Sequence, residues 1–182
     1  MAGVDEAVAS IRAGEAVILP TDTVYGLCAA PDDEAAIERV YRLKGRPSGM
    51  PIALLFPDVV TLLERVPELP QRVRTLLPGP FTFVVPHGGE TIGVRVPELR
   101  GQAREVLERV GAVAATSANR HGGPEPCRLD EVPSDIRAGC GAEIDGGELP
   151  GTPSTVVDLS SSEPRILREG AVSAAETLSR LR

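Results

Sequence analysis

The sequence contains nineteen lysine and arginine residues, and Lys44 is the only lysine among them. An ammonium is a compact charge on a flexible stem that can reach a phosphate oxygen, whereas a guanidinium is a planar fork. Gly45 and Arg46 follow Lys44, between a helical pattern and an apolar run. Two interpretations stay open at this point. The segment is a helix C-terminus, where a cation and a glycine are common, or it is a pair of cations that binds an anion.

Four polar segments each adjoin an apolar, strand-like run, and they contain hydroxyl, amide and basic side chains. Because loops at the ends of strands converge in α/β sheets, we expect these side chains to lie close together. Separated cations with hydroxyls and amides suit a polyanion such as a nucleoside triphosphate. The candidates are Thr23 and Tyr25 in residues 20–26, Lys44 and Arg46, Ser117 and Asn119 in residues 116–119, Ser154 in residues 154–158 with Arg168 on the next strand, and Arg95 on the alternating run 91–96.

Each candidate also has a purely structural interpretation. Threonine and aspartate clusters, and Ser-Ala-Asn in a glycine-rich loop, are common in turns, and an arginine on a strand is often solvated. His121, two residues beyond Asn119, is a weak site candidate, and His87 is predicted to lie in an inert turn. Neither a Walker A sequence nor the G-x-G-x-x-G, G-x-S-x-G or H-E-x-x-H pattern occurs, so the common nucleotide, hydrolase and zinc signatures are absent.

The apolar periodicity predicts short strands that alternate with single helices, some of them joined as hairpins. This mixture is typical of a mixed sheet rather than a purely parallel one. We therefore predict one α/β domain over residues 1–182, a twisted mixed β-sheet flanked by helices. The predicted helices include residues 4–11, 36–41, 62–66, 73–77, 104–110, 129–136 and 178–181, and the predicted strands are 16–19, 24–29, 52–56, 81–85, 91–96, 112–115, 142–145, 154–159 and 166–168.

The composition restricts the cellular compartment and the binding partners that we expect for this protein. A net charge of −7 argues against a broadly basic nucleic-acid-binding surface, although a local positive cleft is compatible with it. Three cysteines without C-x-x-C spacing fit neither a disulfide framework nor a zinc site and favour a reducing compartment. No signal-peptide pattern and no run of 18 apolar residues occurs, which predicts a cytoplasmic protein without a membrane span.

Seven motifs occur in order along the chain: PTDTVYGL at 20–27, KGRP at 44–47, PGPFTFV at 78–84, IGVRVP at 92–97, TSAN at 116–119, STVVDL at 154–159 and ILREG at 166–170. Together they resemble the YrdC-like family of threonylcarbamoyl-AMP synthases in its short, single-domain form. The resemblance covers about residues 8–172 and implies a YrdC-like fold around a deep, positively charged cavity. It also implies the reaction of L-threonine, bicarbonate and ATP to threonylcarbamoyl-AMP and pyrophosphate, for threonylcarbamoyladenosine modification of tRNA.

The resemblance also implies roles for the candidate residues. No strong general base is visible, so we expect catalysis by positioning and electrostatic stabilisation. Mg²⁺ is expected to arrive with ATP rather than on protein ligands, and bicarbonate is a co-substrate. The expected partners are a downstream tRNA threonylcarbamoyl transferase and, weakly, tRNA. The implied catalytic residues are Lys44, Arg46, Ser117 and Asn119; the ATP-binding residues are these four with Arg95 and Arg168; and the threonine-binding residues are Thr23, Tyr25, His121 and Ser154.

The chain departs from the family pattern at four positions that the resemblance places at the amino-acid end of the pocket. Many relatives carry asparagine at Met50, histidine at Leu55 and Leu99, and serine at His121. A paralogue that uses another amino acid is therefore a second hypothesis. A third is a non-catalytic RNA-binding or ribosome-maturation relative, although the basic stripe and aromatic platform of RNA-binding proteins are missing here.

Overall fold

Helices and short strands alternate along the chain in a computed structural model, which describes residues 3–182. The helices are α1 Val4–Arg12, α2 Glu34–Lys44, α3 Val59–Arg65, α4 Gln71–Arg74, α5 Gly101–Val110, α6 Ser134–Ala138 and α7 Ala174–Arg180, with a 3₁₀ turn at Leu129–Glu131. The strands are β1 Val17–Pro20, β2 Tyr25–Ala29, β3 Ala53–Leu55, β4 Phe81–His87, β5 Glu90–Arg95, β6 Val113–Ser117, β7 Ala142–Glu143, β8 Thr155–Asp158 and β9 Arg165–Arg168.

All nine strands belong to one sheet, in the order β7-β1-β2-β6-β3-β5-β4-β8-β9. Three neighbouring pairs are parallel (β1 with β7, β3 with β5, β4 with β8), and the other five are antiparallel. The predicted fold class, an α/β domain with a twisted mixed sheet flanked by helices, is confirmed.

Strand β1 shows why its sequence is a continuous apolar run. Val17 and Leu19 pack with residues of α1 and α5, whereas Ile18 points the other way and packs with residues of α2 and α6. A strand covered by helices on both faces has no solvent-facing position, so alternation of apolar and polar residues is lost.

Strands β4, β5 and β8 are covered by helices on one face and alternate clearly. Phe81, Phe83 and Val157 pack into a core with residues of α3, α4 and α7. Their neighbours in sequence point to the opposite face, because successive side chains on a strand alternate. Thr82 and Val156 on that face line a cavity. This half of the sheet is therefore the floor of a cavity.

Polar side chains cap two of the helices. Asp33 caps α2 by accepting hydrogen bonds from the backbone N–H groups of the first turn, and Ser173 caps α7. The single helix predicted for residues 129–136 is wrong, because a 3₁₀ turn and α6 lie on either side of Pro133. Proline has no N–H to donate and disfavours helical geometry in the residue before it.

Within residues 3–182, none of the helices combines the length and the apolar character needed to cross a lipid bilayer.

Candidate active site

A cavity of about 690 Å³ lies over the sheet between the β1–β2 turn, the end of α2, the loop after β6 and strand β8. Nine of the ten residues predicted to bind substrates line this cavity. Segments far apart in sequence therefore meet at one place, as expected for loops that follow neighbouring strands. The nine residues are Thr23, Lys44, Arg46, Arg95, Ser117, Asn119, His121, Ser154 and Arg168.

Lys44 is the last residue of α2, and Gly45 ends the helix in the left-handed conformation with φ of 61°. The segment is thus a helix C-terminus, as one of the two interpretations predicts. Because α2 ends beside the cavity, its last side chain, Lys44, lines the cavity. Lys44 is only 4% exposed. Its Nζ atom donates to the backbone oxygen of Ser117 at 2.5 Å, the backbone oxygen of Asn119 at 2.8 Å and the Oδ1 atom of Asn119 at 2.8 Å. All three donors of the ammonium are used, so Lys44 ties the end of α2 to the loop after β6.

None of the three hydrogen-bond acceptors of the Lys44 ammonium is a carboxylate. The pKa of Lys44 is lowered to about 8, mainly by burial and also by the nearby charge of Arg46, while Glu125 acts in the opposite direction. Neutral oxygens solvate the ammonium but do not neutralise it. The ammonium of Lys44 therefore has no carboxylate at hydrogen-bond distance, and we call this part of the cavity the Lys44 end.

The loop after β6 is held by its own side chains. Ser117 Oγ donates to Asn119 Oδ1 at 2.7 Å, and Asn119 Nδ2 donates to the backbone oxygen of Gly123 at 2.6 Å. The backbone N–H of His121 donates to the backbone oxygen of Lys44 at 2.9 Å. The Asn119 amide therefore holds the turn, as the structural interpretation of Ser-Ala-Asn expects. Both lone pairs of the Ser117 hydroxyl remain available to a ligand.

Arg95 also lines the cavity, at the end of β5, and we call this part of the cavity the Arg95 end. It forms an ion pair with Asp22, and the two side chains are 9% and 10% exposed. It also donates to the Oγ1 atom of Thr23 at 2.8 Å. Burial lowers the pKa of Arg95, whereas the charge of Asp22 and its hydrogen bond raise it. The solvated-strand interpretation of Arg95 is wrong, because β5 turns this side chain into the cavity.

Arg46 and Arg168 are less buried than the other two cations. Arg46 donates to the Met50 sulfur at 3.4 Å and to the backbone oxygen of Pro51 at 3.0 Å. Arg168 donates to the backbone oxygen of Ser154 at 3.0 Å and forms an ion pair with Glu125 at 3.4 Å. Since a guanidinium has five N–H donors, both arginines keep donors for a ligand.

Tyr25 is the one predicted site residue that does not line the cavity. It is completely buried, and its hydroxyl lies 3.0 Å from Asp145 Oδ1 and 2.8 Å from the backbone oxygen of Gly147, and accepts from the N–H of Gly146 at 3.0 Å. Burial raises its pKa to about 12. The structure places Tyr25 where it holds the loop after β7.

The four departures from the family pattern divide into two groups. Leu55 and His121 line the cavity, but Met50 and Leu99 do not. Leu99 instead packs against the core formed with α1 and α5, and the backbone oxygen of Met50 accepts from the Tyr41 hydroxyl at 2.5 Å. Leu55 is therefore the apolar replacement that lines the cavity, and it is also a buried member of the same core.

Three residues of the site were not identified from the sequence. Thr82 and Glu125 line the cavity: Thr82 Oγ1 lies 2.8 Å from Ser154 Oγ, and Glu125 has one buried oxygen without a hydrogen-bond partner in the described residues. Asp22 lies behind the cavity wall as the ion-pair partner of Arg95. Thr82 was detectable, because a lone threonine between Phe81 and Phe83 marks the face opposite the core. Glu125 carried no sequence signal, since it lies in an irregular loop.

Cations, hydroxyls and amides gathered over the open face of a mixed sheet define an α/β protein whose site suits a phosphorylated ligand. The chain belongs to the Sua5/YciO/YrdC family: the model of this family, described as telomere recombination, matches residues 9–170. The resemblance to YrdC-like proteins is thus confirmed.

Individual relatives agree with the family model. The threonylcarbamoyl-AMP synthase of Pyrococcus abyssi is 36% identical over 183 residues, which cover 91% of this chain and 53% of that protein. A Mycobacterium leprae relative is 35% identical over 188 residues, covering 95% of this chain and 85% of the relative. The crystal structure of Pyrococcus abyssi Sua5 complexed with L-threonine superposes with a TM-score of 0.88 and 34% identity, over 97% of this chain and 56% of that one. The chain thus spans about half the length of the Pyrococcus protein.

Proposed function

We propose that this chain is a nucleotidyltransferase that forms threonylcarbamoyl-AMP and pyrophosphate from L-threonine, bicarbonate and ATP. One observation carries the proposal: nine residues that the family resemblance assigns to substrates line one cavity of about 690 Å³. The threonylcarbamoyl-AMP synthase of Pyrococcus abyssi and the threonine-bound Sua5 structure support the same chemistry.

The reaction divides into two steps that balance. The threonine amine and bicarbonate give a carbamate and water, and a carbamate oxygen then attacks the α-phosphorus of ATP, with pyrophosphate leaving. Both steps join anions to each other, so fixed positive charge is the main catalytic need. Lys44, Arg46 and Arg168 would supply it around the phosphates. The Ser117 hydroxyl donates its proton to Asn119, so its oxygen would accept from an N–H or O–H group of the ligand.

ATP would enter as its Mg²⁺ complex. No cluster of three histidine, cysteine, aspartate or glutamate side chains in residues 3–182 suits a metal ion, so we assign magnesium to the substrate phosphates. The unpartnered Glu125 oxygen in the cavity is the type of oxygen ligand that magnesium accepts. Magnesium would neutralise charge on the leaving pyrophosphate.

The threonine substrate would lie at the Arg95 end, although the resemblance implies that Arg95 binds ATP, because Asp22 already neutralises this guanidinium. Thr23, Ser154 and His121 line the cavity and offer hydroxyl and imidazole groups. Thr23 contacts Arg95, whereas His121 lies next to Lys44. Tyr25 would act on this end indirectly, since β2 carries it next to the turn that contains Thr23. The product would pass to a tRNA threonylcarbamoyl transferase in the cytoplasm, with tRNA bound weakly if at all.

The RNA-binding alternative is not favoured, because the family relatives that cover this chain include synthases. Salt titration distinguishes the two functions. Affinity for RNA falls steeply with salt, because basic side chains must displace counter-ions from the RNA phosphates, whereas threonine binding should change little.

The decisive experiment is ATP/pyrophosphate exchange with purified protein. We expect exchange that requires both bicarbonate and L-threonine, and formation of threonylcarbamoyl-AMP in the forward direction. Omission of each substrate is the control. Exchange without bicarbonate would indicate simple aminoacyl adenylation, and no exchange with any amino acid would contradict the proposed function.

A further inference from the structure

Asp22 has contacts that link three parts of the threonine end of the cavity. One carboxylate oxygen forms the ion pair with Arg95, and the other accepts from the backbone N–H of Glu98 at 3.1 Å. Asp22 therefore joins the β1–β2 turn to the end of β5. A buried carboxylate with these two partners is fixed in position, and so is the guanidinium that it holds.

The hydrogen bonds around Thr23 have only one consistent direction. Thr21 Oγ1 donates to the backbone oxygen of Val24 at 2.7 Å, because a carbonyl cannot donate. Thr21 Oγ1 also accepts from the backbone N–H groups of Thr23 at 3.2 Å and Val24 at 3.3 Å. Because a hydroxyl has one proton, a hydrogen bond in the 3.0 Å contact between Thr21 Oγ1 and Thr23 Oγ1 is donated by Thr23. Thr23 Oγ1 also accepts from Arg95 at 2.8 Å. One lone pair remains, and Thr23 lines the cavity.

We propose that Asp22 is a positioning residue: it holds Arg95 against Thr23, so that the Thr23 hydroxyl is fixed as an acceptor for an N–H or O–H group of the amino-acid substrate. This inference rests on the proposed function, because it assigns the ligand group at the threonine end. Asp22 itself contacts no ligand in this proposal. Its effect passes through Arg95 and Thr23.

The test is a double-mutant cycle read by calorimetric affinity for L-threonine and for ATP. We expect Asp22→Asn to weaken threonine binding about 10- to 100-fold, in the range for a lost hydrogen bond to a charged or oriented group, with ATP affinity changed less than about threefold. Thr23→Val should give a similar loss. The double variant should be no weaker than the weaker single variant, because both changes remove one linked contact.

Controls separate positioning from stability. Glu143→Gln breaks the partly buried ion pair with Arg137, which lies outside the cavity, so melting temperature should fall without a change in threonine affinity. If Asp22→Asn does not fold, Thr23→Ser and Thr23→Val decide, since serine keeps the acceptor and should stay within about threefold of wild type.

Two different failures are distinguishable. Wild-type protein that binds no threonine would overturn the proposed function and this inference with it. Wild-type protein that binds threonine, with Asp22→Asn or Thr23→Val binding it equally well, would overturn this inference alone. Additive losses in the double variant would also overturn it, because independent contacts add.

Discussion

The two ends of the cavity each contain a buried cation, but different groups contact the cation at each end. At one end, the ammonium of Lys44 donates to three neutral oxygens of Ser117 and Asn119. At the other end, the guanidinium of Arg95 is paired with the carboxylate of Asp22. The first cation keeps its charge for a ligand, whereas the second is neutralised by the protein.

This difference assigns different ligand groups to the two ends. Under the proposed function, the charge of Lys44 would attract phosphates, and Arg46, whose charge acts on Lys44, would add free donors. The neutralised Arg95 instead orients the Thr23 hydroxyl, so this end suits a ligand with its own donors. Burial of a cation is thus no measure of its role, and the charge of its partners decides what it binds.

Removal of the uncompensated charge should have the largest effect. We expect Lys44→Ala to reduce pyrophosphate release about 100- to 1,000-fold, the range for loss of one electrostatic donor at a reacting centre. Lys44→Arg should also be impaired, because three acceptors converge on one nitrogen and a planar fork cannot satisfy them in that geometry.

Steady-state pyrophosphate release and thermal melting check this prediction together. A folded Lys44→Ala protein with near-wild-type activity would contradict the phosphate-binding role. The matched control is Arg120→Ala, which removes a basic residue of the same loop that forms a surface ion pair with Asp135 and should leave activity unchanged.

Asn119→Ala tests the link between Lys44 and the loop, with a smaller effect. We expect ATP binding to weaken by about 1–3 kcal/mol, as for hydrogen bonds to charged groups. The melting temperature should fall as well, since the Asn119 amide also holds Gly123. Calorimetry with ATP distinguishes the outcomes. A lower melting temperature with unchanged ATP affinity would mean that Asn119 shapes the turn alone.

Most of the fold was predictable from the sequence. Short apolar runs and capping residues predicted the strands and helices, and Gly45 and Asp33 behave as propensity requires. The exception is residues 129–136, where apolar spacing favoured a helix and Pro133 prevented it. Sheet order was not predictable, because pairing of β3 with β5 and β6 depends on packing between distant segments.

The site was predictable as a set of residues but not as a network. Lys44 stood out by composition, and strand-end motifs identified eight more cavity residues. The partnership of Asp22 with Arg95 spans 73 positions, so no local pattern could reveal it. Tyr25 was wrongly predicted to line the cavity, because it lies in the same motif as Thr23. Side chains alternate along β2, and the side chain of Tyr25 points into the core.

Amino-acid selectivity tests the Arg95 end. Leu55 is the apolar departure that lines the cavity, and an apolar wall distinguishes side chains that differ by one methyl group by about 10- to 200-fold. We therefore expect threonine to be preferred over serine within that range, with detectable turnover of serine. The measurement is kcat/KM for threonine, serine, valine and glycine in pyrophosphate release. A preference above about 10⁴ would show that hydrogen bonding, not the apolar wall, sets selectivity.

The smallest expected effect is on pH dependence, and it separates the two cations directly. Burial lowers the pKa of Lys44 from 10.5 to about 8, so its charge is lost within an accessible range, whereas an arginine stays protonated. We expect ATP affinity to fall above pH 8 by at most about tenfold per pH unit, the limit for one proton. Threonine affinity at the Arg95 end should not follow this curve.

The same titration predicts the sign of a stability change. Because the folded pKa of Lys44 lies below its unfolded value, the cost of burying the ammonium is fully present below pH 8 and is relieved as the pH rises toward 10.5. Cys28, Cys140 and Tyr25 oppose this trend, since burial raises their pKa values to about 12. Subtracting the unfolding curve of Lys44→Met from that of wild type removes their contribution. A difference that stays constant between pH 7 and 10 would mean that Lys44 titrates normally, and the contrast between the two ends of the cavity would then fail.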